Sequence, residues 1–254
     1  MMTMLDPASG SSVPLVAVAH GSRDPRSAAT VSELLDVVRR LRPGQDVRAA
    51  FLDLSAPRLT DVLRGVGRSA VVVPLLLGSA FHARVDVPGA VAESVARHPR
   101  LDVRIADVLG PDPRLESAAW RRLLSAGVDP ADPELGVVLA AAGSSHPPAN
   151  AAVADVARRW ERGSRWAGVE AAFAASAQPD VPAAVERLKA RGARRIAVAS
   201  WFLAPGRLPD RIVDLAGPSA VVAPPLGDDV EVAELVLHRF DAALGTALDT
   251  ARSA

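Results

Sequence analysis

Short unbroken apolar runs alternate along the chain with longer stretches in which apolar residues recur at helical spacing. The first run is Leu15-Val16-Ala17-Val18-Ala19, which stops at His20-Gly21-Ser22-Arg23 and then at Asp24-Pro25. That order predicts a buried strand, a tight turn, and a helix opened by an aspartate N-cap with proline at its first position. Val31, Leu34, Leu35, Val38 and Leu41 follow the helical period, and Arg42-Pro43-Gly44 ends it. A second strand is predicted over Val47 to Leu54, and a second helix from Ser55-Ala56-Pro57 through Leu63. A third strand runs over Ala70 to Leu77, apolar on both faces as a central parallel strand is, although its Pro74 cannot donate to a ladder. Beyond the loop after Gly78, helices at Pro88 to Arg97 and from Asp112-Pro113 to near Leu124 flank a strand at Asp102 to Ala106. Strand and helix in regular alternation imply a parallel sheet covered by helices on both faces.

The turn formers from Ala126 to Glu134 read as a linker, and the chain beyond them repeats the first half. Setting Gly21 on Gly143, a shift of 122, also carries Ser22 onto Ser144, Pro25 onto Pro147, Phe51 onto Phe173 and Pro57 onto Pro179. After a short insertion near Lys189, Val71-Val72-Val73 corresponds to Ile196-Ala197-Val198. The expected architecture is α/β: two tandem, pseudo-symmetric, doubly wound parallel-sheet domains with a cleft between them. The expected boundaries are a disordered lead-in over 1–12, a first domain over 13–126, a linker over 127–135 and a second domain over 136–254. The self-alignment also shows what the second copy lacks. His20 becomes Ala142, Asp53 becomes Ala175, and His82 falls near Arg207. Spacing that keeps a fold has survived duplication, while three polar residues have gone together.

Composition narrows the chemistry. Of 254 residues 49% are apolar, and Lys+Arg and Asp+Glu are equal at 29 each, so nothing in the overall charge calls for nucleic acid or an anionic membrane as partner. With no cysteine, a disulfide framework, a thiolate metal site and a cysteine nucleophile are all excluded, and any metal must be met by imidazole and carboxylate. Met1 to Ser12 has no basic segment and the apolar run after it is too short for a signal-peptide core or a membrane span, so a cytoplasmic protein is expected.

His20 ends the first strand, Asp53 the second, and His82 lies in the loop after the third. In open parallel sheets ligands bind outside the carboxyl ends of the strands, so these three loops converge on one rim. Two imidazoles and a carboxylate there suit a divalent first-row metal with open positions, and the same groups can accept protons. The plainer alternatives are a strand-end cap for His20 and a loop residue without a role for His82. Asp86 is placed either to orient a histidine or to cap the helix at Pro88. Arg23 and Arg84 suit anionic substrate groups, and Ser22 with the amides opening the first helix can assist. His98 and His238 read as surface residues. His146, just after the degenerate Gly143-Ser144-Ser145, is placed to reach the interdomain cleft from the opposing side, but Pro147-Pro148 suggests a stiff turn, and it is left out of the predicted site.

Three segments carry a family resemblance: Ala19-His20-Gly21-Ser22-Arg23-Asp24, Phe51-Leu52-Asp53-Leu54-Ser55-Ala56-Pro57, and Phe81-His82-Ala83-Arg84-Val85-Asp86-Val87-Pro88. Together they resemble the class II tetrapyrrole chelatases, in particular the sirohydrochlorin cobalt- and ferrochelatases in their long, two-domain form. The likeness is strong over the first half and covers the second half through the fold, including a degenerate Phe202-Leu203-Ala204-Pro205-Gly206-Arg207-Leu208-Pro209. It implies ATP-independent insertion of a divalent metal into sirohydrochlorin with no organic cofactor, the ion being Fe2+ or Co2+, with Ni2+ open to the same ligands. Iron would serve siroheme synthesis and cobalt cobalamin synthesis, and family expectation leans to iron. The family's metal-site histidines match His20 and His82; Asp53 stands where a glutamate is common, one methylene shorter, a reach suited to support through water or to tuning an imidazole. A duplicated chain can form alone the cleft that shorter relatives assemble from two copies, so a monomer or weak dimer is expected.

Two rivals differ in class. A metal or tetrapyrrole carrier would use the same cleft without turnover. Histidine phosphatases also place His-Gly after a first strand, but with an arginine before the histidine where this chain has Ala19. Gly65-Val66-Gly67 precedes a strand, the wrong side for a dinucleotide fingerprint, and the chain has no Gly-x-Ser-x-Gly elbow.

Overall fold

A computed structural model describes residues 13–78 and 85–252. Two four-stranded parallel sheets form. β1 (Leu15–Ala19), β2 (Val47–Phe51), β3 (Ser69–Pro74) and β4 (Asp102–Ile105) lie in the order β2-β1-β3-β4, and β5 (Leu135–Ala141), β6 (Gly168–Phe173), β7 (Arg195–Ser200) and β8 (Val221–Val222) in the order β6-β5-β7-β8. The helices are α1 (Pro25–Leu41), α2 (Leu59–Arg64), α3 (Val87–Arg97), α4 (Pro113–Ser125), α5 (Pro147–Gly163), α6 (Val181–Ala190), α7 (Arg207–Ala216) and α8 (Val230–Arg252). This is the α/β arrangement of two tandem doubly wound sheets that the alternation predicts. As expected, Asp24 caps α1, its carboxylate accepting from the Arg26 amide at 3.0 Å.

The connections explain where a site can lie. α1 packs its Val31, Leu34 and Val38 on one face of the first sheet, whereas Leu59 and Leu63 of α2 and Val87 and Val91 of α3 pack on the other. The loops after β1 and β3 therefore leave in opposite directions and open a crevice at the carboxyl ends of two adjacent strands.

The inner faces of both sheets share one core. Val71 and Val73 of β3 and Ala197 and Ala199 of β7 belong to it together with residues of α1, α4, α5 and α8. Two of these helices are exchanged between the halves. α4 follows β4 but packs against β7 of the second sheet, and α8 follows β8 but packs against β3 and α1 of the first. Aromatic and ionic contacts reinforce the exchange. Trp120 of α4 meets Trp160 of α5 edge-to-face at 5.2 Å and Trp166 at 4.9 Å. Arg42, at the end of α1, makes paired bonds of 2.6 and 2.7 Å to Asp241 of α8. Arg239 of α8 reaches back to the carbonyls of Val108 and Leu109 and to Asp112, the N-cap of α4.

Four expectations are corrected. β2 stops at Phe51 rather than Leu54, because the Phe51 amide turns to the Pro57 carbonyl at 2.9 Å and Leu54 takes a positive φ of 59° that no strand allows. Helix α2 consequently starts at Leu59, not at Pro57, which lies in the turn behind a cis peptide bond. β3 ends at Pro74, which has no N–H to donate, rather than at Leu77, with one further bond to β1 from the Leu75 amide to the Val18 carbonyl at 2.8 Å. The third strands also correspond one residue differently. Val71 faces Leu15 as Ala197 faces Val137, so Val71 matches Ala197, a shift of 126, and position 82 falls on Leu208. Burial agrees: Val71, Val73 and Leu75 share the inner core with Ala197, Ala199 and Trp201. A one-residue slip would exchange the faces. The lead-in over 1–12 lies outside the described residues, and among the described residues no helix is long and apolar enough to cross a membrane.

Candidate functional site

His20 stands exposed where β1 ends. Its main chain is held firmly. The Asp53 amide donates to the His20 carbonyl at 3.0 Å and the Leu52 amide to the Ala19 carbonyl at 3.0 Å, so the ladder between β1 and β2 runs on into the loops. Gly21 then turns with φ +94°, and a Cβ there would fall 1.7 Å from the Asp53 carbonyl oxygen, which leaves room for glycine alone. One residue on, the Ser22 amide donates to Ser55 Oγ at 3.0 Å while the Ser55 hydroxyl donates back to the Ser22 carbonyl at 2.8 Å. Ser22 Oγ accepts from the Asp24 amide at 3.0 Å. Two loops from adjacent strands are thus tied at consecutive residues, and the histidine rides on a fixed backbone.

The second half repeats this backbone without the chemistry. Gly143 has φ +85°, a Cβ on it would lie 1.9 Å from the Ala175 carbonyl oxygen, and the Ala175 amide donates to the Ala142 carbonyl at 2.9 Å. Leu54 and Ser176 share a φ of 59°, and the cis bond before Pro57 recurs before Pro179. On this matched frame His20 is replaced by Ala142 and Asp53 by Ala175. The loop that matches Phe51–Arg58 in the second half opens into a depression of about 460 Å3, lined by residues including Ser176, Gln178, Asp180 and Arg211.

The other predicted residues are spread more widely. The Asp53 carboxylate is exposed and lies 3.4 Å from Arg58 Nη2, while its main chain abuts His20 and Gly21. Arg23 is exposed beside His20. Asp86 stands at the N-cap position of α3 with helical backbone angles and makes no side-chain capping bond. His82 and Arg84 lie outside the described residues. Among the described residues no group of three or more His, Asp and Glu side chains is set to hold a metal ion. His98 and His238 are exposed, in keeping with their reading as surface residues.

The neighbourhood is bridged to the second half by charge. Arg26, on the first turn of α1, binds Asp24 and Asp210 of α7 at 2.5 Å each. Arg26 holds the Asp24 carboxyl below the ordinary carboxylate range, chiefly through its side-chain hydrogen bonds. His146, left out of the predicted site for the stiff turn after it, does reach the junction of the halves. It lines a cavity of about 220 Å3 between the halves, with Leu77, Gly78 and Pro111 from the first and Pro148 and Trp201 from the second. A signal for it exists, because the shift of 122 puts His146 on the capping Asp24, and histidine is a poor substitute for a cap.

The CbiX family pattern matches residues 14–126 and 136–243. A sirohydrochlorin ferrochelatase of Priestia megaterium is 26% identical over 203 residues, covering 77% of this chain and 74% of that protein. A sirohydrochlorin cobaltochelatase of the same organism is 25% identical over 210 residues, 78% of this chain and 66% of that protein. Among solved structures, SirB from Bacillus subtilis with Fe3+ has the same fold, with a TM-score of 0.75 at 21% identity over 91% of this chain and 95% of that one.

Proposed function

The chain belongs to the CbiX family, and on that premise we propose that it inserts a divalent metal ion, iron or cobalt, into sirohydrochlorin. The observation that carries this reading is the asymmetry of the duplication. Two loops keep their hydrogen bonds, positive φ angles and close approach in both halves, yet only the first half keeps His20 and Asp53. Residues needed by the backbone are present twice; residues useful only to chemistry are present once.

Metal insertion must strip water from the ion and remove two pyrrole N–H protons. It therefore needs ligands that bind weakly and exchange, and that take up protons near neutral pH. A neutral imidazole with an ordinary pKa near ~6.5 meets both needs. His20 is an exposed residue at the carboxyl end of β1, beside the crevice of the first sheet, where an ion and a macrocycle can approach. Its backbone is anchored by Asp53 and by the bonds between Ser22 and Ser55, which restrict where the ring can point. His82 joins His20 as the second ligand and proton acceptor. Asp53 supports the pair from the adjoining loop, Asp86 orients an imidazole, and Ser22, Arg23 and Arg84 meet the carboxylates at the rim of the pigment. The ion is substrate in this reading and leaves in the product.

Anaerobic spectrophotometry of sirohydrochlorin with Fe2+ or Co2+ tests the proposal. Conversion well above the spontaneous rate supports it, and the faster ion points to siroheme or to cobalamin synthesis. Tight pigment binding without acceleration contradicts it and leaves a carrier.

A further inference from the structure

The turns that open α1 and α5 also differ, and the one that opens α1 is tied across to the second half by charge. On the side of α1, Asp24 caps the helix, Arg26 bridges to Asp210 of α7, and a Cβ on Gly206 would lie 3.9 Å from Ser22 Oγ. The corresponding residues of α5 are His146 in place of Asp24 and Pro148 in place of Arg26. The charges that Asp24 and Arg26 bring to the first junction have no counterpart at positions 146 and 148. What stands there is the cavity of about 220 Å3 with apolar walls from Leu77, Pro111, Pro148 and Trp201.

His146 occupies the N-cap position of α5 yet makes no side-chain capping bond. Exchanging a capping aspartate for such a residue weakens the helix, so helix stability gains nothing from it. The imidazole instead belongs to the wall of the cavity, where it is the only titratable group among the described lining residues. The cavity borders the exit of β3, whose neighbour β1 ends in His20; the Leu75 amide donates to the Val18 carbonyl at 2.8 Å.

We propose that this cavity seats one edge of the tetrapyrrole, with His146 donating a hydrogen bond from the second half to a peripheral carboxylate of the pigment. The inference rests on the chelatase reading for the identity of the ligand. The cavity's volume decides how much of the ligand enters. Pockets that enclose a whole small molecule run from about 300 to 1,000 Å3, so this one takes a pyrrole ring with its arms and leaves the macrocycle centre outside. Apolar walls receive the ring, and one polar group fixes its orientation.

The test is titration of the whole protein with metal-free sirohydrochlorin, followed by steady-state insertion. Ala152→Phe fills the cavity from α5, and Ala149→Leu fills it less; both positions line it. The expected result is at least a tenfold weaker pigment Kd for Ala152→Phe and a smaller loss for Ala149→Leu. The KM for pigment should rise in parallel while the KM for the metal ion moves less than twofold. His146→Leu should weaken pigment binding several-fold, and His146→Gln, which keeps an N–H donor, should recover most of it. Thermal melting checks that each variant is folded, and Ala149→Leu carries the test if Ala152→Phe is not. Unchanged pigment affinity in a folded filling variant overturns the seat. If the wild-type protein binds pigment in a cavity-dependent way but accelerates nothing, the seat stands and the proposed function falls.

Discussion

The amide of Asp53 donates to the carbonyl of His20 at 3.0 Å, and the carbonyl of Asp53 sits where a Cβ on the next residue, Gly21, would need to be. The Asp53 main chain therefore fixes the height of the candidate histidine above the sheet and forbids a side chain beside it. The second half keeps both contacts with alanine in place of each functional residue, which separates the requirements of the turn from those of the chemistry.

Gly21→Ala should be far more damaging than Gly44→Ala. Both glycines have positive φ, but around Gly44 there is open space, so alanine there costs only the backbone penalty of about 1–2 kcal/mol. At Gly21 the loops must separate as well. Urea midpoints for the two variants check this, with a larger shift expected for Gly21→Ala and insertion activity lost along with it.

Ser55→Ala removes both bonds that tie the second loop to Ser22 and leaves a part-buried amide unpaired. A loss of about 1–3 kcal/mol is expected. Because His20 rides on that loop pair, the insertion rate should fall although Ser55 touches no substrate, and equilibrium unfolding with initial rates on the same samples measures both effects.

Helix exchange predicts that the halves unfold together. Phe240 of α8 is 2% exposed in the shared core, and Phe240→Ala should cost about 3–5 kcal/mol. A single, earlier calorimetric transition is expected; two separated transitions would contradict the shared core.

Acid stability should depend on Asp112. Burial alone would push its carboxyl up, but the side-chain and backbone bonds from Arg114, with Arg239 nearby, hold it below the ordinary value. Its folded pKa is thus lower than its unfolded pKa, near ~3.9, so its contribution is complete above that pH and is lost as pH falls through the folded pKa. Asp112→Asn should lower stability at neutral pH and flatten the dependence below about pH 4. Denaturant titrations at several pH values read the slope.

Much of this is legible in the sequence, and the failures have definite causes. Asp24-Pro25 and the helical period after it predict α1 correctly because caps and periodicity are local signals. The apolar run through Leu52 and Leu54 makes β2 read too long, whereas the positive φ of Leu54 is set by the turn around Pro57. The third strands align one residue out because a strand buried on both faces carries no alternation to fix its register. Helical patterning shows which face of α4 or α8 is apolar but not which sheet it covers, so the exchange is invisible to it. For His146 the sequence offers both the cleft and, from the two prolines after it, a stiff turn; which of them decides its place depends on packing between the halves.

In the proposed reaction His20 is where metal insertion happens. The most direct measurement is the anaerobic rate of metal-dependent spectral conversion of sirohydrochlorin by wild-type protein, His20→Ala and, as a surface control, His98→Ala, with folding verified for each. The expected result is a rate well above background for wild type and His98→Ala, and a fall to near the spontaneous rate for His20→Ala. A folded His20→Ala variant that converts pigment as fast as wild type would contradict it.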